Sequence, residues 1–99
     1  MDHDIRAYIV VVSFEVLVNG STSLKEKRSV INRIRDRIRA RFNASIAETG
    51  YQDKWQRAAM AMTMISNEQK KLQKDVDAVQ KLLLEFTDVS INHFTVEWL

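Results

Sequence analysis

Apolar and polar positions follow two different periods along this chain, and the changes of period divide it into six segments. Residues 5–18 are rich in Val, Ile, Tyr and Phe, which favour strands. Both alternating sets of side chains are apolar through the middle of this run, which predicts a central strand covered on both faces. Residues 19–22 contain an Asn-Gly pair and predict a turn.

The second segment, residues 23–41, predicts an amphipathic helix. Ser23 and Glu26 have the spacing of a capping box, in which the hydroxyl accepts from the amide three residues later. Asn43 is placed to close the helix in the left-handed conformation. The apolar stripe recurs at helical spacing and consists of Leu24, Val30, Ile31, Ile34, Ile38 and Phe42.

Two strands joined by a hairpin are predicted next. Residues 44–49 form a short candidate strand, and a long apolar run begins near Trp55 and includes residues 60–65. Residues 50–54 have the length of a hairpin connection. The apolar run also contains good helix formers, so a helix is the alternative. The strand is favoured because the run stops at Ser66.

A second helix and a last strand complete the chain. Ser66 and Gln69 repeat the capping-box spacing and open a helix that extends to about Phe86. Residues 89–98 alternate and predict a strand with one apolar half. The predicted order is therefore strand, helix, strand, strand, helix, strand.

This order predicts an α+β fold, the ferredoxin-like βαββαβ sandwich. Right-handed crossovers give a four-stranded antiparallel sheet in the order 4-1-3-2 with both helices on one face. We expect a single domain over residues 1–99, in which residues 1–4, including His3, form a frayed extension.

The other face of that sheet is predicted to bury itself in a homo-oligomer. Both alternating sets of central-strand residues are apolar, so whichever set faces away from the helices leaves a large patch in water. The predicted interface residues are Tyr8, Val10, Val12, Met60 and Met62.

Composition restricts the class of protein. The chain has 99 residues, no cysteine and a net charge of +2. No apolar run approaches the ~20 residues that span a bilayer, and the N-terminus is unlike a signal peptide. We therefore expect a cytoplasmic protein without disulfides, without a membrane partner and, given two histidines and two glycines, without a metal site, phosphate loop or cofactor.

Charge is concentrated on the first helix. Residues 23–41 hold eight of the 15 basic residues against two acidic ones, whereas the rest of the chain holds seven basic and eleven acidic. Such a helix predicts a surface that contacts phosphates, and the alternative is that its arginines only cover the edge of the core. The candidate nucleic-acid contacts are Lys25, Lys27, Arg28, Arg33, Arg37, Arg41, Trp55 and Arg57.

Three of these residues have open alternatives. Lys27 lies on the apolar stripe and either extends past the rim of the domain, which is favoured, or has a specific acceptor. Trp55 either stacks on a base beside Arg57 or, as favoured, plugs the end of the core, with Arg57 paired to Glu48 across the hairpin.

Several segments resemble one known family in order and spacing. They are SLKEKR at residues 23–28, RFNASIAE at 41–48, QDKWQR at 52–57 and the pair Ser66-Asn67. The chain resembles the YlxP-like family, small bacterial proteins without assigned function, which implies a ferredoxin-like fold. In many bacteria the genes of this family lie beside genes for translation initiation and ribosome maturation. Tyr51 stands where a histidine is common.

The prediction for function is a non-enzymatic binding domain that docks its basic helix and the adjoining hairpin on RNA or a ribosomal particle, without inferred DNA specificity. A homo-oligomeric protein-interaction or assembly module is the alternative. A third and weaker interpretation is an enzyme with its site in the loop of residues 50–54.

Overall fold

The computed structural model describes residues 5–99, so the predictions for residues 1–4 and His3 lie outside the described part of the chain. The elements follow the predicted order and differ from the predicted bounds by a few residues. They are β1 (Tyr8–Val18), α1 (Leu24–Arg41), β2 (Ala44–Gly50), β3 (Arg57–Ser66), α2 (Gln69–Leu83) and β4 (Val89–Trp98).

The four strands form one antiparallel sheet in the order β2-β3-β1-β4. This is the predicted order 4-1-3-2, and the prediction of a βαββαβ α+β fold is confirmed. The central strands are β1 and β3. Strand β1 pairs with β3 and β4, and strand β3 pairs with β1 and β2. The second long apolar run is a strand, so its helical alternative is wrong.

The first helix begins as the capping box predicts, whereas the second does not. The Ser23 hydroxyl accepts from the Glu26 amide at 3.1 Å, and the Glu26 carboxylate accepts from the Thr22 amide at 2.9 Å. At α2, Ser66 is still part of β3 and accepts from the Glu68 amide, so the predicted box with Gln69 is wrong.

The end of α1 also differs from the prediction. The helix closes at Phe42, whose backbone is extended and whose amide donates to the Ile38 carbonyl at 2.9 Å. Within residues 5–99, the left-handed conformation among non-glycine residues occurs at Tyr51 and His93, so Asn43 does not adopt it. An extended residue at this point leads the chain directly into β2.

The core lies between the sheet and the helices, and it decides which face of β1 is covered. Val12 is fully buried and Met62 is 2% exposed, and both belong to the same cluster as the stripes of α1 and α2. The open face carries the opposite set, which on β1 consists of Ile9, Val11, Ser13, Glu15 and Leu17.

The predicted oligomer interface is therefore wrong in its residues. Val10, Val12, Met60 and Met62 are buried beneath the helices, and Tyr8 is half-buried against the same core. The physical reason is the choice of face. The two valines and two methionines are large enough to fill the space between the sheet and the apolar stripes of the helices. The small residues Ala59 and Ala61 lie on the other face of the sheet.

Candidate nucleic-acid interface

The hairpin loop between β2 and β3, residues 51–56, lies against the first turn of α1. Lys27 holds it there. The Lys27 ammonium lies within 3.4 Å of the carbonyl oxygens of Tyr51, Gln52 and Arg57 and 3.0 Å from a carboxylate oxygen of Glu48. The side chain is only 1% exposed.

Lys27 is therefore a structural clamp, and its prediction as a nucleic-acid contact is wrong. Of its two alternatives, the specific acceptor is found and the extension past the rim is not. The stripe of α1 is apolar where it meets the sheet, but its first turn meets the backbone carbonyls of a hairpin loop. A lysine satisfies these acceptors, since its three donors can serve several at once.

The open face of the sheet carries a second ion pair beside the same loop. Nε of Arg57 donates to the Glu15 carboxylate, and the Arg57 guanidinium carbon lies 3.9 Å from the centroid of the Tyr51 ring. The hydrogen bond from Arg57 lowers the pKa of Glu15 against the opposing effect of burial, and the same bond raises the pKa of Arg57.

Sequence reasoning missed Glu15. The expected partner of Arg57, Glu48, lies on the helix-covered face of β2, where it pairs with Lys27 instead. The available signal was an acidic residue inside an otherwise apolar central strand. A charge at such a position requires a partner.

Two residues with a strained backbone lie beside the Glu15–Arg57 pair. Tyr51 has a φ of 58° and His93 a φ of 54°, both in the left-handed region that non-glycine residues adopt rarely. The Tyr51 ring contacts Arg57, and Nε2 of His93 lies 3.8 Å from Glu15 where the β1–β4 register shifts. Such strain persists where surrounding contacts fix it, and it tends to occur at functional sites.

A concavity of about 560 Å³ opens along the loop. We call it the hairpin pocket, and it is lined by Tyr51, Asp53, Lys54, Trp55, Gln56 and Arg57. Trp55 is 54% exposed, so the interpretation that it plugs the core is wrong. Gln56 ties the far side of the loop to the chain before α1 by donating to the Ser21 carbonyl at 3.1 Å.

Three predicted contact residues lie elsewhere on α1. Arg33 pairs with Asp88 at 2.5 Å, Arg41 pairs with Glu85 at 3.4 Å, and the guanidinium of Arg37 lies 4.8 Å from the Phe86 ring centroid. The side of α1 that carries these three arginines, which we call the arginine flank, therefore faces the segment that follows α2. The structure does not bring it together with the hairpin pocket.

The remaining predicted residues, Lys25 and Arg28, are exposed and flank Lys27 in the first turns of α1. Because Lys27 contacts the loop directly, its neighbours lie at the same end of the domain as the hairpin pocket. Trp55, Arg57, Lys25 and Arg28 are the predicted residues that this end brings together.

The described part of the chain also bears on two other features, a metal site and a membrane-spanning helix. In residues 5–99, no three His, Cys, Asp or Glu side chains cluster as a metal site requires. No helix in the same range is long and apolar enough to cross a membrane.

These features define a small βαββαβ α+β domain with a clamped, partly basic hairpin at one end. The chain belongs to the family described as protein of unknown function (DUF503), whose model matches residues 9–96. It is 34% identical over 84 residues to the uncharacterized protein YlxP of Bacillus subtilis (strain 168), covering 85% of this chain and 91% of that protein. The predicted resemblance to YlxP-like proteins is confirmed.

A solved structure shares the fold. The C-terminal segment of the alpha subunit of aIF2 from Pyrococcus abyssi superposes with a TM-score of 0.53 at 12% identity. The match covers 92% of this chain and 52% of that one, so this chain spans about half the length of the solved structure.

Proposed function

We propose that this protein is a non-enzymatic RNA-binding domain that uses the hairpin pocket and the first turns of α1. The observation that carries the proposal is the exposed Trp55 in a concavity that also holds Arg57 and Lys54. Aromatic side chains that stack on bases, together with cations that hold phosphates, are the recurring means of binding single-stranded nucleic acid.

The basic residues of α1 support the same proposal, but they divide into a primary and a secondary contact surface. Lys25 and Arg28 extend the basic surface from the hairpin pocket along the helix. The pairs of Arg33 and Arg41 are exposed, and such pairs contribute only about 0–1 kcal/mol each. RNA phosphates can therefore replace Asp88 and Glu85 at little cost, which makes the arginine flank a secondary contact.

The proposal places the protein in the cytoplasm, where it would meet its RNA partner. A ribosomal particle is the first candidate, because genes of the family lie near genes for ribosome maturation in many bacteria. The proposal includes no cofactor and no catalytic step.

Salt dependence of RNA binding tests the proposal. The affinity for a single-stranded RNA should fall as salt rises, and removing one phosphate contact should reduce the slope of log affinity against log salt by about 1. We expect Lys25→Glu with Arg28→Glu to weaken binding and reduce the slope. Lys70→Glu with Lys74→Glu, the same charge change at the opposite end of the domain, should have a much smaller effect.

Absence of RNA binding at low salt would contradict the proposal. Equal losses in the two double variants would contradict the assignment of the surface to the hairpin end, because they would indicate attraction by net charge alone.

Self-association through the open sheet face is a second candidate function, favoured by one pair of residues. Ile9 and Ile65 lie side by side in the β1–β3 register, and both are exposed. They line a groove of about 350 Å³ that continues past Val11 into one of about 180 Å³, and among residues 5–99 no charged side chain lines either groove. A second copy of the chain fits this patch, since two identical neutral surfaces meet without repulsion.

Sedimentation at micromolar concentration tests this candidate. We expect a dimer that Ile65→Lys converts to a monomer and that Leu84→Lys, an equally drastic change at an exposed position after α2, leaves intact. A monomeric wild-type protein would contradict it.

A further inference from the structure

The hairpin pocket has the size and chemistry of a site for one small ligand. Its volume of about 560 Å³ lies within the range of about 300–1,000 Å³ typical of ligand pockets. It offers an exposed indole, an exposed phenol ring, two cations and one carboxylate. An aromatic face beside cations fits a ligand that is flat at one end and anionic at the other.

Arg57 is oriented so that its outer donors remain available. An arginine has five N–H donors in a planar fork. Nε is used by Glu15, and within residues 5–99 the Arg57 side chain makes no other hydrogen bond. Because Tyr51 covers one face of the guanidinium, both its plane and its direction are fixed while the two terminal nitrogens keep four donors.

The loop that carries Trp55 is fixed at both ends. Lys27 holds the carbonyls of Tyr51 and Gln52 at one end and that of Arg57 at the other, and Gln56 donates to Ser21 between them. A loop already held in place loses less conformational entropy when it binds a ligand. The pocket is therefore preorganised without any contact from the ligand.

We infer that the hairpin pocket takes a single unpaired nucleotide of an RNA strand. Its base stacks on Trp55, and its phosphate accepts from the terminal nitrogens of Arg57 and from Lys54. This inference rests on the proposed function and narrows it from an RNA-binding surface to a pocket that holds one unpaired nucleotide. A base inside a duplex is covered on both faces by its neighbours, so it cannot present a face to Trp55.

The chain has two tryptophans, which provides a direct reporter. Trp98 lies at the end of β4, whereas the hairpin pocket lies at the start of β3. In a Trp98→Phe protein, Trp55 is the remaining tryptophan, so excitation selective for tryptophan reports on the hairpin pocket. We expect an oligoadenylate strand to quench the fluorescence of Trp55, and a blunt RNA duplex with the same number of phosphates to bind more weakly without quenching.

Affinity supplies the second readout. Stacking of a base on an aromatic side chain contributes about 1–3 kcal/mol, so Trp55→Ala should weaken binding of the single strand by about 5- to 150-fold. Binding of the duplex should be unchanged. Because Trp55 is exposed, its removal leaves no cavity, and Trp98→Ala is the matched control that should leave both affinities as they are.

The outcomes separate the two proposals. Equal affinity for strand and duplex without quenching of Trp55 would overturn this inference and leave standing RNA binding by the basic surface that Lys25 and Arg28 form. Failure of both RNAs to bind at low salt would overturn both. Preferential, Trp55-dependent binding of the strand is the result we expect.

Discussion

Nζ of Lys27 lies 3.0 Å from Oε2 of Glu48, and this ion pair joins the first turn of α1 to β2 on the helix-covered face of the sheet. The same ammonium donates to the backbone of the hairpin loop. One buried charge therefore connects three parts of the chain, and it also determines where Trp55 and Arg57 can lie.

Removing the charge of Lys27 should destabilise the protein strongly. Breaking a buried ion pair from one side leaves an uncompensated charge and typically costs about 3–5 kcal/mol. We expect Lys27→Met to lower the free energy of unfolding by about 3 kcal/mol or more in urea titrations, whereas Lys25→Met, at an exposed neighbouring position, should change it by less than about 0.5 kcal/mol. The double variant Lys27→Met with Glu48→Leu should be more stable than Lys27→Met alone. A smaller loss in Lys27→Met than in Lys25→Met would contradict the clamp.

Glu15 should make stability depend on pH in the acid range. Its pKa in the folded protein is lowered below the ordinary value of 4.5, first by the hydrogen bond from Arg57. A lowered folded pKa means that the stabilisation is fully present above 4.5 and is lost as pH falls through the lower, folded value. Urea midpoints should therefore show wild type losing its advantage over Glu15→Gln as the pH is lowered below 4.5.

Arg57→Gln should remove most of the same acid-range dependence, because it removes the first cause of the lowered pKa of Glu15. The other group facing this carboxylate is His93, so His93→Gln in the wild-type background tests its smaller contribution. A Glu15→Gln protein that keeps the full pH dependence of wild type would contradict the assignment.

The two faces of β3 should respond differently to truncation. Met62 is 2% exposed beneath the helices, and truncation of such a side chain to alanine costs about 2–5 kcal/mol. Ile65 is 54% exposed on the open face, so Ile65→Ala should cost well under half as much in dilute protein. Thermal or urea unfolding of the two variants measures the difference. Similar losses would mean that the assignment of the faces is wrong.

The cap of α1 should be worth a measurable amount. Ser23 accepts from the Glu26 amide, and replacing such a cap by alanine costs about 0.5–2 kcal/mol. For a domain of this size, a loss of 1 kcal/mol lowers Tm by about 4–8 °C. Ser29→Ala, at an exposed position within the same helix, is the control and should leave Tm unchanged or raise it slightly, since alanine favours helix. An unchanged Tm in Ser23→Ala would contradict this role.

Much of the fold was readable from local patterns. The capping box at Ser23, the stripe of α1 and the alternation in residues 89–98 each involve residues a few positions apart, and their order restricts the topology to very few arrangements. These signals are local, because helix and strand periods follow from backbone geometry alone. The second box, at Ser66, failed because β3 continued through it.

The sequence could not predict which face of β1 packs against the helices, because both alternating sets of side chains, including Val11 and Val12, are apolar. Burial beneath two helices selected the set with Val12, and the small residues of β3 were left on the open side. Because the sequence did not show which face the helices cover, the predicted oligomer interface consisted of residues that belong to the core.

The candidate site was predicted in part. Trp55 and Arg57 were predicted from their residue types. The pairing of Lys27 with Glu48 and that of Arg57 with Glu15 were not predicted. Lys27 and the Arg57 carbonyl are 30 positions apart, and Glu15 and Arg57 are 42 apart. The sequence by itself determined the elements, their order and the charge of α1. Only the tertiary structure decided which charges are buried and which remain available to a ligand, because those pairings depend on how the hairpin packs against α1 and the sheet.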